Sequence, residues 1–339
     1  MRIFVAGATG YIGRHTVREL VARGHEVVAF ARPRSGVGGR SPEEETRRQL
    51  AGAEVRFGDV TDPSSLAGEG FRGEPFDAVV SCLASRTGAP DDAWRVDHQA
   101  NLHLLEAARG AEVRHFVLLS AICVQKPLLA FQHAKLAFEE ALAASGITWS
   151  IVRPTAFFKS LAGQVESVKQ GKPFTVFGDG TLTACKPISE RDLARFMADC
   201  LEDPARQNAV LPVGGPGPAI TPRQQGVMLA ELSGGAPRFR QVPVALMDAI
   251  IGVLGLLGRV APGLREKAEF ARIGRYYGTE SMLVWDAARG RYDEEATPSF
   301  GEDTLRAFYA RVLEEGLEGQ ELGDQAVFGS REAGGAGSG

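Results

Sequence analysis

The sequence predicts an α/β protein built on a doubly wound parallel sheet, with a smaller C-terminal lobe. Three observations predict it. Short apolar runs alternate with amphipathic stretches through the first half of the 339 residues, the pattern of parallel strands joined by crossover helices. A glycine triplet, Gly7, Gly10 and Gly13, follows the first apolar run and opens an amphipathic stretch. From Thr155 onward the rhythm loosens, and turns rich in Gly and Pro, such as 177–180 and 213–218, separate shorter elements.

Taken in order, the predicted strands are Ile3–Ala6, Glu26–Phe30, Glu54–Gly58, Ala78–Ser81, His115–Ser120 and Trp149–Arg153. Each is short and mostly apolar, as strands covered on both faces must be. Helices are expected between them, notably over Tyr11–Arg23, Trp94–Arg109 and Leu128–Ala144. Ser189, just before Arg191-Asp192-Leu193-Ala194, reads as a helix N-cap. The segment Val244–Val260 has an uncharged core running only from Ala249 to Gly258, too short to span a bilayer, which takes about 20 residues. It reads as a buried helix, with a surface for lipid or an apolar substrate as the alternative. The chain thus divides into a nucleotide domain (1–155), a mainly substrate-binding lobe with segments returning to the sheet (156–330), and a glycine-rich flexible tail (331–339).

Composition excludes several classes. With 44% apolar and 24% charged residues the chain is not disordered, and a formal net charge of −4 argues against nucleic-acid binding. Its 41 glycines exceed the ordinary share, which points to tight turns and close backbone approaches. Cys82, Cys123, Cys185 and Cys200 are scattered, with neither zinc spacing nor a disulfide framework, so no metal is expected. A strand starting almost at the first residue leaves no room for a targeting segment, so the expected location is the cytoplasm.

The glycine triplet has the strand–turn–helix setting of a Rossmann-like dinucleotide site. Gly7 permits the tight turn, Gly10 lets the backbone approach a pyrophosphate, and Gly13 lets the helix pack on the sheet. Thr9, Tyr11 and Ile12 complete the loop and the helix start, whose free N–H groups and dipole favour phosphate. NAD sites usually place an acid after the second strand; here Arg32, Arg34 and Ser35 stand there. Arginine pairs a 2′-phosphate, and a charge-assisted contact of roughly 1.5–3 kcal/mol favours NADP(H) more than tenfold. Asp59 and Val60 are placed to flank the adenine, and Leu83, Ala84 and Ser85 to pass beneath the cofactor.

This glycine spacing, the turn Gly58-Asp59-Val60 and the Arg153-Pro154 pair resemble the short-chain dehydrogenase/reductase superfamily, in particular its extended, atypical NmrA-like branch. That resemblance implies a Tyr-x-x-x-Lys pair on the helix after the fifth strand, with a helping serine. Here Phe131 stands in the tyrosine position and Lys135 is retained, while Ala121 follows the retained Ser120. Carbonyl or alcohol chemistry therefore loses its acid, whereas reduction of a conjugated C=C bond needs only a hydride and one later proton. Phe131, Lys135, Phe138 and Leu142 share one helix face. Lys135 is accordingly read as a ribose clamp, with direct proton donation as the alternative.

Longer runs carry a closer resemblance: 81–86, 115–132, 134–135, 150–159, 177–180, 184–190, 274–277 and 319–323. Together they are similar to the NADPH-dependent divinyl chlorophyllide 8-vinyl reductases of chlorophyll and bacteriochlorophyll synthesis. The resemblance implies a magnesium porphyrin substrate, divinyl chlorophyllide a or divinyl protochlorophyllide a, and NADPH as cofactor. It also implies that Arg153, Pro154, Thr155 and Ala156 line the nicotinamide, and that Phe131, Phe157, Phe158 and Tyr276 face the substrate. Lys135 is the first candidate proton source, with Tyr276, Cys123 and water as alternatives; Lys186 or Arg275 would meet the substrate carboxylate. Because plant members carry a transit peptide, the expectation is a bacterial cytoplasmic form, with peripheral membrane contact through Val244–Val260. A non-catalytic NADP(H) sensor and a reductase of phenylpropanoid-like enones remain the rival readings.

Overall fold

Six apolar runs become six strands: β1 (Arg2–Ala6), β2 (Glu26–Ala31), β3 (Glu54–Phe57), β4 (Ala78–Ser81), β5 (His115–Leu119) and β6 (Thr148–Pro154). The structure is a computed structural model that describes residues 1–34, 42–257 and 262–316. Every strand end lies within one residue of its expected place. Downstream come β7 (Phe174–Phe177), β8 (Ala209–Val213), β9 (Phe239–Val242), β10 (Val284–Asp286) and β11 (Arg291–Asp293). Seven strands form one sheet in the order β3-β2-β1-β4-β5-β6-β8, all of them parallel.

The helices follow in order: α1 (Tyr11–Ala22), α2 (Glu43–Gln49), α3 (Pro63–Ser65), α4 (Pro90–Ala93), α5 (Asn101–Gly110), α6 (Ala130–Ala143), α7 (Phe158–Leu161) and α8 (Val165–Lys169). The rest are α9 (Glu190–Glu202), α10 (Pro222–Leu232), α11 (Val244–Leu257), α12 (Pro262–Thr279) and α13 (Leu305–Glu315). Strand side chains alternate between two cores, as the pleat requires. Ile3, Val5, Val27 and Val117 pack with Leu20 of α1 and Met197 of α9. Phe4, Val28, Phe30 and Phe116 pack with Leu104 of α5 and Phe138 of α6 on the other face. Between β1 and β4 the order of connection reverses, and loops at such a switch point open a crevice at the carboxyl ends of the strands.

Two elements depart from expectation. The stretch Trp94–Arg109 is not one α-helix: a wider-turned π segment, Trp94–Ala100, precedes α5. The Asn101 side-chain amide donates to the Val96 and Asp97 carbonyls at 3.2 and 3.1 Å, at the junction of the π segment and α5. The buried-helix reading of Val244–Val260 is also corrected. No residue of α11 is buried, and Leu246, Ile250, Val253, Leu256 and Leu257 are exposed, because α11 lies against α12 and turns its other side outward. Among the described residues no helix is long and apolar enough to cross a membrane.

In the second half of the chain, β8 joins the main sheet beside β6, and α9 packs on α1. Its start is capped as expected, with the Ser189 hydroxyl accepting the Asp192 N–H at 3.0 Å. The remainder builds a separate core around Phe158, Phe174, Leu229, Phe308 and Tyr309, beside the parallel pair β7–β9. The expected tail, 331–339, and the run 319–323 lie outside the described residues.

Candidate active site

The crevice is floored by the turn after β1. Gly7 has a φ of +73°, and a Cβ there would lie 2.6 Å from the Cys82 carbonyl carbon, so only glycine lets this turn approach β4. The Gly10 N–H donates to the Gly7 carbonyl at 3.0 Å. A Cβ at Gly13 would strike the same carbonyl, so α1 can start only if that position is bare. Gly10 is exposed, Thr9 and Tyr11 are half-buried, and Ile12 points into the core. This cradle, which side chains would fill, fits a dinucleotide.

Around it, Arg32 and Arg34 are exposed after β2, while Ser35 lies outside the described residues. The Asp59 carboxylate accepts both the N–H and the hydroxyl of Thr61 at 2.8 Å, which fixes the turn after β3. Val60 is half-buried against the aromatic core. Leu83 and Ser85 are buried after β4, and Ala84 between them is exposed. The Tyr11 hydroxyl donates to Glu190 at 2.5 Å, which ties the start of α1 to that of α9.

Lys135 is not alone on its apolar face. Its ammonium lies 2.9 Å from Asp97, a wholly buried carboxylate in the π segment. The same Asp97 oxygen accepts the Ser85 N–H at 3.3 Å, and its second oxygen has no partner among the described residues. The Ser120 and Arg153 side chains turn away from the crevice. The Ser120 hydroxyl donates to Glu139, and the Arg153 guanidinium pairs with the same buried carboxylate. Neighbouring strand ends aim both groups at α6, so only their backbones remain to line the crevice. Pro154 is buried at the end of β6; Thr155 donates its hydroxyl to the Lys186 carbonyl and its N–H to Val213 at 2.9 Å. The half-buried Ala156 accepts the Ile188 N–H at 2.9 Å.

On the substrate side, Phe131 is half-buried. A Cβ on Gly88 would lie 2.9 Å from Ile273 of α12 and 3.7 Å from Phe131, so the loop after β4, α6 and α12 converge there. Phe157 is half-buried with its ring centroid 6.3 Å from that of Tyr11. Phe158 is not a pocket wall: it is 2% exposed and packs on Phe308 at 5.4 Å in the second core, since the chain turns into α7 at this residue. Tyr276 is likewise buried, and its hydroxyl is shared between the Cys123 and Lys126 carbonyls at 2.9 and 3.2 Å. Burial pushes the Cys123 thiol up, so it is a poor acid. Lys186 is buried, donating to the Thr297 carbonyl at 3.0 Å, and Arg275 pairs with Asp248; neither waits for a substrate carboxylate.

Sequence reasoning missed Asp97, Glu139 and Gln132. Gln132 is buried and accepts the Leu128 and Leu129 N–H groups at 2.7 and 2.9 Å, which closes the start of α6. One signal was present: each is a polar residue inside a stretch whose neighbours at helical spacing are apolar.

With this geometry in view, comparison with known proteins narrows the assignment. A family model described as NAD(P)H-binding matches residues 7–204. Among solved structures, UDP-glucose 4-epimerase of Thermotoga maritima is 18% identical, with a TM-score of 0.67 over 95% of this chain and 100% of that one. An NADPH-dependent quinone oxidoreductase of Escherichia coli is 18% identical, with a TM-score of 0.64 over 92% and 99%. These similarities speak for the fold. Sequence relatives go further. The divinyl chlorophyllide a 8-vinyl-reductase of Oryza sativa subsp. indica is 58% identical over 331 residues, covering 96% of this chain and 82% of that protein. Its Arabidopsis thaliana counterpart is 53% identical over 335 residues, covering 96% and 80%. Both are chloroplastic proteins, which overturns the expectation of a bacterial cytoplasmic form. The chain belongs to the divinyl chlorophyllide a 8-vinyl-reductase family.

Proposed function

We propose that this chain reduces the 8-vinyl group of divinyl chlorophyllide a, or of its protochlorophyllide counterpart, to an ethyl group with NADPH. The observation that carries the reading is the 58% identity sustained over 96% of the chain. The site chemistry supports it: Phe131 stands where a carbonyl reductase needs a phenol, and a vinyl group conjugated to a macrocycle has no oxygen to protonate. Bound NADPH supplies a hydride. The backbone of the Gly7–Gly13 turn holds the pyrophosphate, Arg32 and Arg34 meet the 2′-phosphate, and Lys135 clamps the ribose. Phe131 and Phe157 offer flat apolar contact to the ring and keep water from the reacting carbon.

The chain is read as an atypical short-chain dehydrogenase/reductase of the NmrA-like branch. The outward apolar side of α11, with Leu246, Ile250 and Val253 exposed, supports peripheral contact with a lipid surface. Neither a non-catalytic sensor nor a phenylpropanoid reductase is favoured. Anaerobic incubation of protein, NADPH and divinyl chlorophyllide a should shift the Soret band and add two hydrogens by mass spectrometry. Unaltered pigment at saturating NADPH would refute the assignment.

A further inference from the structure

Three segments distant in the chain meet at Gly88, in the loop that follows β4. Gly88 has a φ of +69°, and a Cβ there would lie 2.9 Å from Cδ1 of Ile273 on α12 and 3.7 Å from Cδ1 of Phe131 on α6. Glycine suits that backbone conformation, and its bareness leaves room for both apolar side chains to close on the loop.

Each segment is held in place. The Asp92 carboxylate accepts the Arg86 and Thr87 N–H groups at 2.9 and 3.0 Å, which pins the loop. Gln132 closes the start of α6. The Tyr276 hydroxyl, one turn beyond Ile273, anchors α12 to the Cys123 and Lys126 carbonyls. An ion pair between Lys126 and Glu280 at 2.7 Å joins the same two segments again.

Phe131 and Ile273 share one apolar cluster with Ala121 and Ala156, which follow β5 and β6. These four are half-buried over a buried floor that includes Ile122, Cys123 and Tyr276. Each therefore keeps part of its surface free near the carboxyl ends of the strands, where the crevice opens. None of the four side chains carries a hydrogen-bond donor or acceptor.

Resting on the reductase reading above, we propose that Ile273 positions the substrate: with Phe131 it forms an apolar slot for the ring edge that bears the reacting vinyl group. A vinyl group and the ring carbons beside it offer hydrocarbon and no oxygen, which suits a slot without polar side chains. Lys135, one turn beyond Phe131 on the same helix face, sets the proposed ribose position next to that slot.

The test compares full-length wild type with Ile273→Val and Ile273→Ala, which trim the slot by steps. At saturating NADPH, KM for divinyl chlorophyllide a should rise about threefold in Ile273→Val and ~10-fold or more in Ile273→Ala, the scale of lost apolar contact. The NADPH dissociation constant, read by fluorescence titration, should stay within about twofold in both, since no cofactor contact is removed. A pigment KM within about twofold of wild type in both variants would overturn the proposal. So would a loss of NADPH affinity as large as the rise in pigment KM, which would make Ile273 a packing residue of the fold. If wild type itself leaves the pigment unreduced, the reductase reading falls and the proposal with it.

Discussion

Lys135 and Asp97 meet at 2.9 Å, and the same Asp97 oxygen accepts the Ser85 N–H. One buried carboxylate therefore joins the helix that carries Lys135 to the loop that follows β4. The Lys135 ammonium is held at a fixed point instead of sampling its rotamers, which is what the proposed ribose clamp requires.

Asp97→Asn should loosen that clamp. Losing a charge-assisted bond to Lys135 costs about 1.5–3 kcal/mol, and part of that falls on the cofactor. We expect NADPH affinity to drop ~10-fold with a lower Tm, read by fluorescence titration and thermal melting. Unchanged values for both would show that Lys135 is held by something else.

Lys135→Met separates clamp from acid. As a clamp, Lys135 should cost mainly NADPH affinity, about tenfold or more, with kcat at saturation changed less. A collapse of kcat at unchanged affinity would make the lysine the proton donor instead.

Arg32→Glu should remove the preference for the 2′-phosphate. The ratio of kcat/KM for NADPH to that for NADH should fall more than about tenfold, the scale of a lost charge-assisted contact. Arg32 is exposed, so folding should be indifferent to the change. An unaltered ratio would remove Arg32 from the site.

Glu139→Gln should act on stability before activity. Glu139 is 4% exposed and holds both Ser120 and Arg153, and breaking a buried ion pair costs about 3–5 kcal/mol. Urea denaturation should show a lower midpoint at an unchanged slope. A midpoint like that of wild type would mean that Arg153 finds another partner.

His115 predicts a pH dependence. Burial pushes its pKa down to about 4, and one ring nitrogen lies 2.9 Å from the Ser150 hydroxyl. Below about pH 6.5 the unfolded chain takes up a proton that the folded chain refuses, so stability falls as pH drops towards 4 and is fully present above 6.5. Denaturation midpoints between pH 4.5 and 7 should show this loss, and His115→Gln should flatten it. An equal slope in the variant would exclude His115 as the cause.

Much of this protein is determined by local pattern. The six apolar runs, the Gly7–Gly10–Gly13 turn, the Ser189 cap and the exchange of tyrosine for Phe131 were legible because each depends on neighbours within a few residues. Propensity, pleat and helical spacing act at that range. Tertiary structure alone decided the rest. Phe157 and Phe158 are indistinguishable in sequence, yet the turn into α7 leaves one half-buried near Tyr11 and seats the other against Phe308. Val244–Leu257 is apolar enough for a core, but it lies against α12 with none of its residues buried, and Leu246, Ile250, Val253, Leu256 and Leu257 stay exposed. The partners of Lys135, Ser120 and Arg153, and the meeting of the Tyr276 hydroxyl with the Cys123 carbonyl, join segments distant in the chain. Pairings of that kind follow from how sheet and helices pack, which no local periodicity encodes.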